Sequence, residues 1–180
     1  MAIIHRATIS PTKLELLEEW LGDDLVGDGE LTQVGSYRLD DPDGEVGIEA
    51  LLVTRGGPVR QAALTYRAEP LEGADDHLIT TMEHSVLGRR WIYDAQGDPV
   101  ALAAYARALA GRQEQAPLEI WDGDTFVDTR QPTVVLSVMN RAESPDGLDV
   151  RLGTDLADLD ASGPALHARW DGGEGIVAST

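Results

Sequence analysis

The segment from Met82 to Pro99 contains the side chains of this chain that are best suited to binding. Arginine pairs with carboxylates and phosphates through two parallel hydrogen bonds, while tryptophan and tyrosine stack on sugars or on other side chains. A recognition surface is therefore the functional hypothesis for this segment and for the Tyr-Arg dipeptide that precedes it. The candidate binding residues are Tyr66, Arg67, Glu83, His84, Arg89, Arg90, Trp91, Tyr93 and Asp94.

The same segment also fits a purely structural role. Side chains alternate between the two faces of a strand, so Trp91 and Tyr93 share one face and Arg90, Ile92 and Asp94 share the other. In this alternative the aromatic pair packs into the core and Arg90 forms an ion pair with Asp94. The alternation favours the structural role, but both interpretations stay open from the residues alone.

Motifs for catalysis and for metal binding are absent from the sequence. The four histidines have no HxxxH or HxH spacing, cysteine is absent, and no serine lies in a GxSxG turn. The acidic runs over 40–45 and 155–160 do not match the calcium-binding loop. We therefore predict no catalytic residue, no metal site and no cofactor. A carboxylate pair for glycan chemistry stays an alternative, because acidic side chains are abundant.

The kinase motifs are also missing, which excludes a complete kinase. Kinases hold the nucleotide phosphates with a strand lysine or a phosphate-binding loop. The only lysine, Lys13, falls in a predicted helix with no glycine-rich loop before it, and the sequence contains neither GxxxxGK[ST] nor a catalytic loop of the HRDxxxxN type.

The charge of the chain limits the class of partner. It has 32 acidic and 14 basic residues and a net charge of −18. Such a charge repels nucleic acids and anionic membranes, so we expect neither as a partner. The sequence shows no signal peptide, no apolar stretch that approaches a membrane span of about 18 residues, and no cysteine. We expect a soluble, cytoplasmic protein.

Hydrophobic periodicity and turn residues predict a mixture of helices and strands. Helices are predicted over 11–21, 77–84 and 98–110, with Pro11 and Pro99 as first helical residues. Antiparallel strands over 32–39, 45–54 and 58–66 are expected to pack under the first helix. Further strands are predicted over 2–9, 89–95, 117–121, 125–128, 132–140, 148–153, 165–170 and 175–180.

Four blocks of sequence, in order, resemble the amino-terminal cap domain of bacterial maltokinases. They are IIHRATISPTKLELLEEWL, GSYRLDDPDGEVGIEALLV, LTYRAEPL and MEHSVLGRRWIYDAQGDPV, and the resemblance covers about residues 2–110. It implies an α+β fold in which helices pack on a curved antiparallel, cystatin-like sheet. We therefore expect a cap-like domain over 1–110 and a small, mostly β extension over 111–180. That extension either continues the same sheet or forms a subdomain.

The resemblance also implies a role. In maltokinases the cap precedes the ATP-binding and catalytic parts and modulates phosphoryl transfer rather than performing it. The phosphate-binding lysine, catalytic aspartate and metal-binding residues of those kinases have no counterpart here, so we expect a stand-alone, non-catalytic accessory or regulatory protein. Its expected partner is a sugar kinase or another enzyme of maltose, trehalose or α-glucan metabolism.

Two other functions stay open at this stage. One is a module that binds a sugar, a sugar phosphate or a nucleotide near residues 89–94. The other is a small glycan-active enzyme that uses carboxylates. The sequence does not indicate which oligomeric state the protein adopts.

Overall fold

A computed structural model describes residues 2–5, 8–122, 125–130 and 132–180 of the chain. These residues form two α-helices and thirteen strands, which agrees with the predicted mixture of helices and strands. The helices are α1 (Lys13–Leu21) and α2 (Pro99–Leu109). The strands are β1 (Ala2–His5), β2 (Ile9–Ser10), β3 (Thr32–Leu39), β4 (Gly47–Thr54), β5 (Arg60–Arg67), β6 (Leu78–His84), β7 (Gly88–Asp94), β8 (Leu118–Asp122), β9 (Thr125–Arg130), β10 (Val134–Met139), β11 (Arg151–Leu152), β12 (Ala165–Trp170) and β13 (Gly173–Ser179).

The largest sheet is antiparallel, has six strands in the order β2-β6-β7-β5-β4-β3, and curls into a half-barrel. Strand β4 lies inside this sheet and is buried on both faces. Ile48 and Leu52 point to one face, and Leu51 and Val53 point to the other. The apolar run of this strand predicts this double burial, because a strand covered on both sides has no solvent face.

Helix α1 covers one face of the six-stranded sheet. Leu16, Leu17 and Leu21 are buried there against Leu51 and Ile92 of the sheet. The apolar spacing of the sequence predicts this helix and its packing. Its start differs from the prediction.

The first helical residue of α1 is Lys13, because Thr12 is the N-cap. The Thr12 hydroxyl accepts a hydrogen bond from the Glu15 amide at 3.3 Å, and the Glu15 carboxylate accepts one from the Thr12 amide at 2.8 Å. This reciprocal pair satisfies two amides that a helix end leaves without partners. The prediction that Pro11 starts the helix is therefore wrong.

Helix α2 packs on the other face and also contacts a four-stranded antiparallel sheet, in the order β10-β12-β13-β11. Asp98 is the N-cap and Pro99 the first residue, as predicted. Tyr105 and Leu109 of this helix are buried in one core with Leu166 of the second sheet. Residues 111–180 thus share a hydrophobic core with the first sheet. How the chain divides into domains stays a prediction.

A third sheet brings the two halves of the chain together a second time. Its strand order is β1-β8-β9, with β1 parallel to β8 and β8 antiparallel to β9. The strands predicted over 117–121 and 125–128 are confirmed as β8 and β9, while residues 123–124 between them lie outside the described residues. The cystatin-like detail of the fold also stays a prediction.

The helix predicted over 77–84 is wrong. Residues Leu78–His84 form strand β6, and only the short 3-10 turn Asp75–His77 precedes it. Met82 is buried between exposed Thr81 and Glu83, which is the period of a strand. Pairing with β7 decides the structure here, because the segment is too short for helix periodicity to be distinguished from strand alternation.

Candidate functional site

The predicted recognition residues do not converge on one site. They lie at the end of the β6–β7 hairpin, on both faces of the six-stranded sheet, and beside the start of α2. The direction in which a side chain points from its strand determines which of these places it occupies. Their role in binding therefore stays a prediction, and their contacts are described group by group.

The exposed end of the β6–β7 hairpin holds three of these residues. Arg89 donates to Glu83 at 2.7 Å, and both side chains are 60% exposed, so this ion pair contributes little to stability. His84 Nδ1 accepts hydrogen bonds from the amides of Val86 and Leu87, at 3.2 and 3.0 Å. His84 thus orders the turn, whereas Val86 and Leu87 expose their apolar side chains.

Strand β7 places its aromatic residues as its alternation predicts. Tyr93 is buried, and its hydroxyl accepts a hydrogen bond from the Leu71 amide at 2.8 Å, while Trp91 is half-buried. Ile92 points to the opposite face and packs in the core beneath α1. This contact gives Tyr93 a structural role, because it fixes the loop between β5 and β6.

Arg90 and Asp94 of β7 do not interact as the structural alternative predicts. Although both are described, Arg90 and Asp94 form no ion pair. Asp94 instead accepts a hydrogen bond from the Gln96 amide at 3.0 Å and caps the turn Ala95–Gly97. Burial raises the pKa of Asp94 above its ordinary value, partly opposed by the Gln96 hydrogen bond.

Tyr66 belongs to a charged cluster on the α1 face, centred on the buried carboxylate of Glu49. Glu49 Oε2 accepts hydrogen bonds from Lys13 Nζ at 2.6 Å and from the Tyr66 hydroxyl at 2.9 Å. Its Oε1 accepts from Arg38 Nη2 at 3.2 Å. Four side chains from α1, β3, β4 and β5 meet here. The cluster therefore ties the helix to the sheet.

The electrostatics of this cluster favour the ionised carboxylate. Burial opposes ionisation of Glu49, but the charges of Arg38 and Lys13 and the hydrogen bonds from Lys13 and Tyr66 outweigh it, lowering its pKa to about 2. Burial, with the Glu49 charge beside the hydroxyl, raises the pKa of Tyr66 well above its ordinary value. We did not predict this cluster. A glutamate inside the apolar run of β4 was the available signal, because a buried charge needs partners.

Arg67 lies on the opposite face and holds the start of α2. Its Nε and Nη2 donate to the two carboxylate oxygens of Asp98, both at 2.7 Å, and Asp98 also accepts from the Val100 amide. Burial opposes ionisation of Asp98, but these hydrogen bonds from Arg67 outweigh it and lower its pKa. Arg67 is thus committed to a structural ion pair.

A groove of about 360 Å³ lies away from these residues. It is bounded by the end of α2, by the connector over residues 110–117 that follows this helix, and by strand β10. None of the predicted recognition residues lines it. The lining residues are Ala108, Gly111, Gln113, Glu114, Gln115, Leu136, Ser137, Val138, Arg141 and Leu166. The groove has no signal in the sequence, because its two walls come from segments about twenty residues apart that only the tertiary fold brings together.

Neither a metal cluster nor a membrane helix is found in the part of the chain that the structure describes. No group of three or more His, Cys, Asp or Glu side chains there is arranged to hold a metal ion. No helix there is both long and apolar enough to cross a bilayer.

Comparison with known proteins gives one match. Residues 19–98 match the family of the maltokinase N-terminal cap domain, from the end of α1 through β3–β7 to the N-cap of α2. No curated protein and no solved structure matches the chain. The match suggests a link to maltose or trehalose metabolism. The predicted resemblance is thereby confirmed: over residues 19–98, which contain five of the six strands of the largest sheet, the chain resembles the maltokinase N-terminal cap domain.

Proposed function

We propose that this protein is a non-catalytic accessory or regulatory protein of maltose, trehalose or α-glucan metabolism that acts by binding a protein partner. The observation that carries the proposal is the match of residues 19–98 to the maltokinase cap domain. A cap modulates a kinase without performing the chemistry. A sugar kinase is therefore the first partner to test.

The contacts of the basic residues support a role without phosphoryl transfer. Lys13, the only lysine, lies in α1 and is neutralised by Glu49 at 2.6 Å. Arg67 is held by Asp98 in the same way. Side chains committed to buried carboxylates are not available to hold the phosphates of a nucleotide.

The groove supports a binding role rather than glycan hydrolysis. Glycosidases of the common types use two carboxyl groups that face each other across the substrate. Glu114 is the single acidic residue among those that line the groove. The groove thus offers a binding surface without the carboxylate pair that this chemistry needs.

The direct test is binding to an isolated maltokinase. The 180-residue chain is immobilised, and a maltokinase is passed over it, with an unrelated sugar kinase as the control. We expect saturable binding of the maltokinase but not of the unrelated sugar kinase. We also expect the kcat/KM of the maltokinase to change when the chain is added. Absence of saturable binding up to about 100 μM contradicts the proposal.

A thermal-shift panel separates the small-ligand alternative from this proposal. The ligands are maltose, maltose 1-phosphate, trehalose and ATP with Mg²⁺. A ligand at about 100 times its Kd stabilises the folded state by roughly 2.7 kcal/mol, which is about 5–11 °C for a chain of this size. A dose-dependent shift that is lost in Arg90→Ala favours a ligand-binding module near β7. A flat panel, with kinase binding intact, supports the partner role.

A further inference from the structure

The edge of strand β10 that faces the groove already forms hydrogen bonds with a side-chain amide, which has the same donor and acceptor groups as a peptide bond. Strand β10 is the end strand of its sheet. The side-chain amide of Gln115 pairs with it as a neighbouring strand would: Gln115 Nε2 donates to the Val134 carbonyl at 2.8 Å, and the Leu136 amide donates to Gln115 Oε1 at 2.7 Å. These bonds show that the edge groups of β10 point towards the connector side of the groove.

The next rung of this edge lies beyond Gln115. Backbone groups of alternate residues in a strand point to the same side, so the amide and carbonyl of Val138 face the same way as the Leu136 amide. Leu136, Ser137 and Val138 all line the groove. An unpaired strand edge is a template for pairing with another chain. The volume of about 360 Å³ is at the low end for ligand pockets, which suits a short extended segment.

The charges beside the groove indicate the chemistry of its occupant. Most arginines with described side chains pair with a carboxylate of this chain: Arg38, Arg55, Arg60, Arg67, Arg89, Arg151 and Arg169.

The described arginines without such a partner are Arg90, Arg107, Arg112 and Arg141. One of these four lines the groove, and two more are next to its lining residues in sequence. Arg141 lines it, Arg112 donates only to the Glu143 carbonyl, and Arg107 donates to Gln113 of the lining. In a chain with a net charge of −18, an area with unpaired arginines is the place where an acidic group is attracted.

Arg141 is positioned rather than loosely exposed. Gly111 has a φ of +62°, in the left-handed region, and a Cβ at this position would clash with the Arg141 guanidinium. The glycine thus allows the guanidinium to lie against the connector on the groove wall. Glu114 also lines the groove but forms no ion pair with Arg141, although both are described. Arg141 is therefore available to a carboxylate from outside the chain.

We propose that this groove binds an extended peptide segment of the partner protein. The segment pairs with β10 at Val138 as an additional strand and places a carboxylate against Arg141. Its alternate side chains are apolar, because Leu136 and Leu166 line the same groove. This inference rests on the proposed function, and it names the surface and the chemistry of the partner.

The test adds each of two synthetic peptides, whose solubility is checked separately, to the whole chain labelled with ¹⁵N and records the amide resonances. One peptide alternates valine with glutamate, and the other alternates valine with lysine at the same length. We expect the glutamate peptide to shift the amide resonances of Leu136, Val138 and Gly111. Because the chain is strongly acidic, non-specific attraction favours the lysine peptide, so selective binding of the glutamate peptide reports the groove itself.

Three variants localise the binding. Val138→Pro removes the amide that points away from the sheet, a substitution that an edge strand tolerates. Arg141→Glu reverses the charge of an exposed side chain. Each is expected to lower the affinity for the glutamate peptide at least about tenfold, since a charge-assisted or backbone hydrogen bond is lost. Arg151→Glu is the matched control on the other edge strand of the same sheet, and it is expected to leave the affinity unchanged.

Several results overturn the inference. They are the absence of resonance shifts at millimolar peptide, shifts confined to another surface, and equal affinity in Arg141→Glu and the parent chain. Self-association that Val138→Pro abolishes makes a second copy the occupant, which also overturns it. If Arg141→Glu loses no affinity for a maltokinase that the parent chain binds, the groove proposal fails while the proposed function stands.

Discussion

Both faces of the six-stranded sheet carry ion pairs, but only the α2 face also carries a neutral hydrogen-bond network. The α1 face holds an ionic cluster, in which Glu49 meets Lys13 and Arg38. The α2 face holds the Arg67–Asp98 ion pair at the start of α2 and, apart from it, a neutral network. In this network the Tyr37 hydroxyl donates to Gln61 Oε1 at 2.7 Å and lies 2.9 Å from the Tyr105 hydroxyl. Gln61 Nε2 then donates to the Val177 carbonyl at 2.8 Å and reaches the second sheet.

The depth of burial explains this difference. The Lys13 and Arg38 side chains remain 29% and 20% exposed, so water still solvates the cations beneath a single short helix. Tyr37, Tyr105 and Gln61 are at most 1% exposed, because α2 and a second sheet cover that face. Charges are costly to bury completely, whereas neutral hydroxyl and amide groups are stable there once they are hydrogen-bonded. The neutral network therefore lies where α2 and the second sheet both cover the face, whereas the cations of the ion pairs, Lys13, Arg38 and Arg67, keep partial exposure.

Leu109→Ala is expected to have the largest effect, because it acts on the doubly covered face. Leu109 is fully buried in the core shared by both sheets. Its truncation leaves a cavity and lowers the free energy of unfolding by about 2–5 kcal/mol. Urea denaturation measures the loss, with the exposed Leu87→Ala as control. Equal losses in the two variants contradict a shared core at this position.

Glu49→Gln tests the ionic cluster of the other face. The amide keeps the shape of the side chain but leaves Lys13 and Arg38 without their counter-charge. Breaking a buried pair costs about 3–5 kcal/mol, and the partial exposure of both cations reduces this to roughly 2–3 kcal/mol. The urea midpoint is compared with that of Glu83→Gln, which removes an exposed pair and is expected to cost less than about 0.5 kcal/mol. A midpoint equal to that of the control contradicts the cluster.

The pH dependence of stability tests the charge of Glu49 itself. The pKa of Glu49 is about 2 in the folded chain, below its ordinary value of 4.5. The folded state thus binds fewer protons than the unfolded state, so the contribution of Glu49 is complete above pH 4.5 and is lost as the pH falls towards 2. Urea midpoints between pH 7 and 3 are expected to fall more steeply for the parent chain than for Glu49→Gln. Parallel curves contradict this assignment.

Tyr105→Phe tests the neutral network and is expected to have the smallest effect. The substitution removes one hydroxyl and leaves the Tyr37 bond to Gln61 intact, so the expected loss is about 1 kcal/mol. Because this network contains no charge, the loss is expected to stay constant between pH 7 and 4. Thermal unfolding at both pH values measures it. A loss that grows as the pH falls contradicts a neutral network.

Much of the architecture was predictable because its signals are local. The apolar spacing of α1, the Asp98-Pro99 start of α2 and the apolar run of β4 each depend on residues close in sequence. Strand β6 was not predictable, since its pairing with β7 overrides the local pattern. The cap resemblance was recognisable for a further reason: its four blocks are contiguous segments of sequence.

The candidate sites were predictable to a smaller extent. Aromatic and arginine content identified β7, but it did not reveal that Tyr93 is buried or that Asp94 caps a turn. The groove at β10 could not be predicted, because Gln115 precedes this strand in the sequence and Arg141 follows it. Only the fold brings both residues to the groove. Convergence of distant segments is a property of the fold.

By itself, the sequence determined the resemblance to a maltokinase cap, the acidic charge and the identity of most helices and strands. These properties follow from composition and from short-range periodicity, which a linear chain already contains. Only the tertiary structure decided that Glu49 meets Lys13 and Arg38, that residues 134–180 share a core with the first sheet, and that a groove opens beside β10. Such contacts depend on the packing of segments that are distant in sequence, and packing is set by the whole fold.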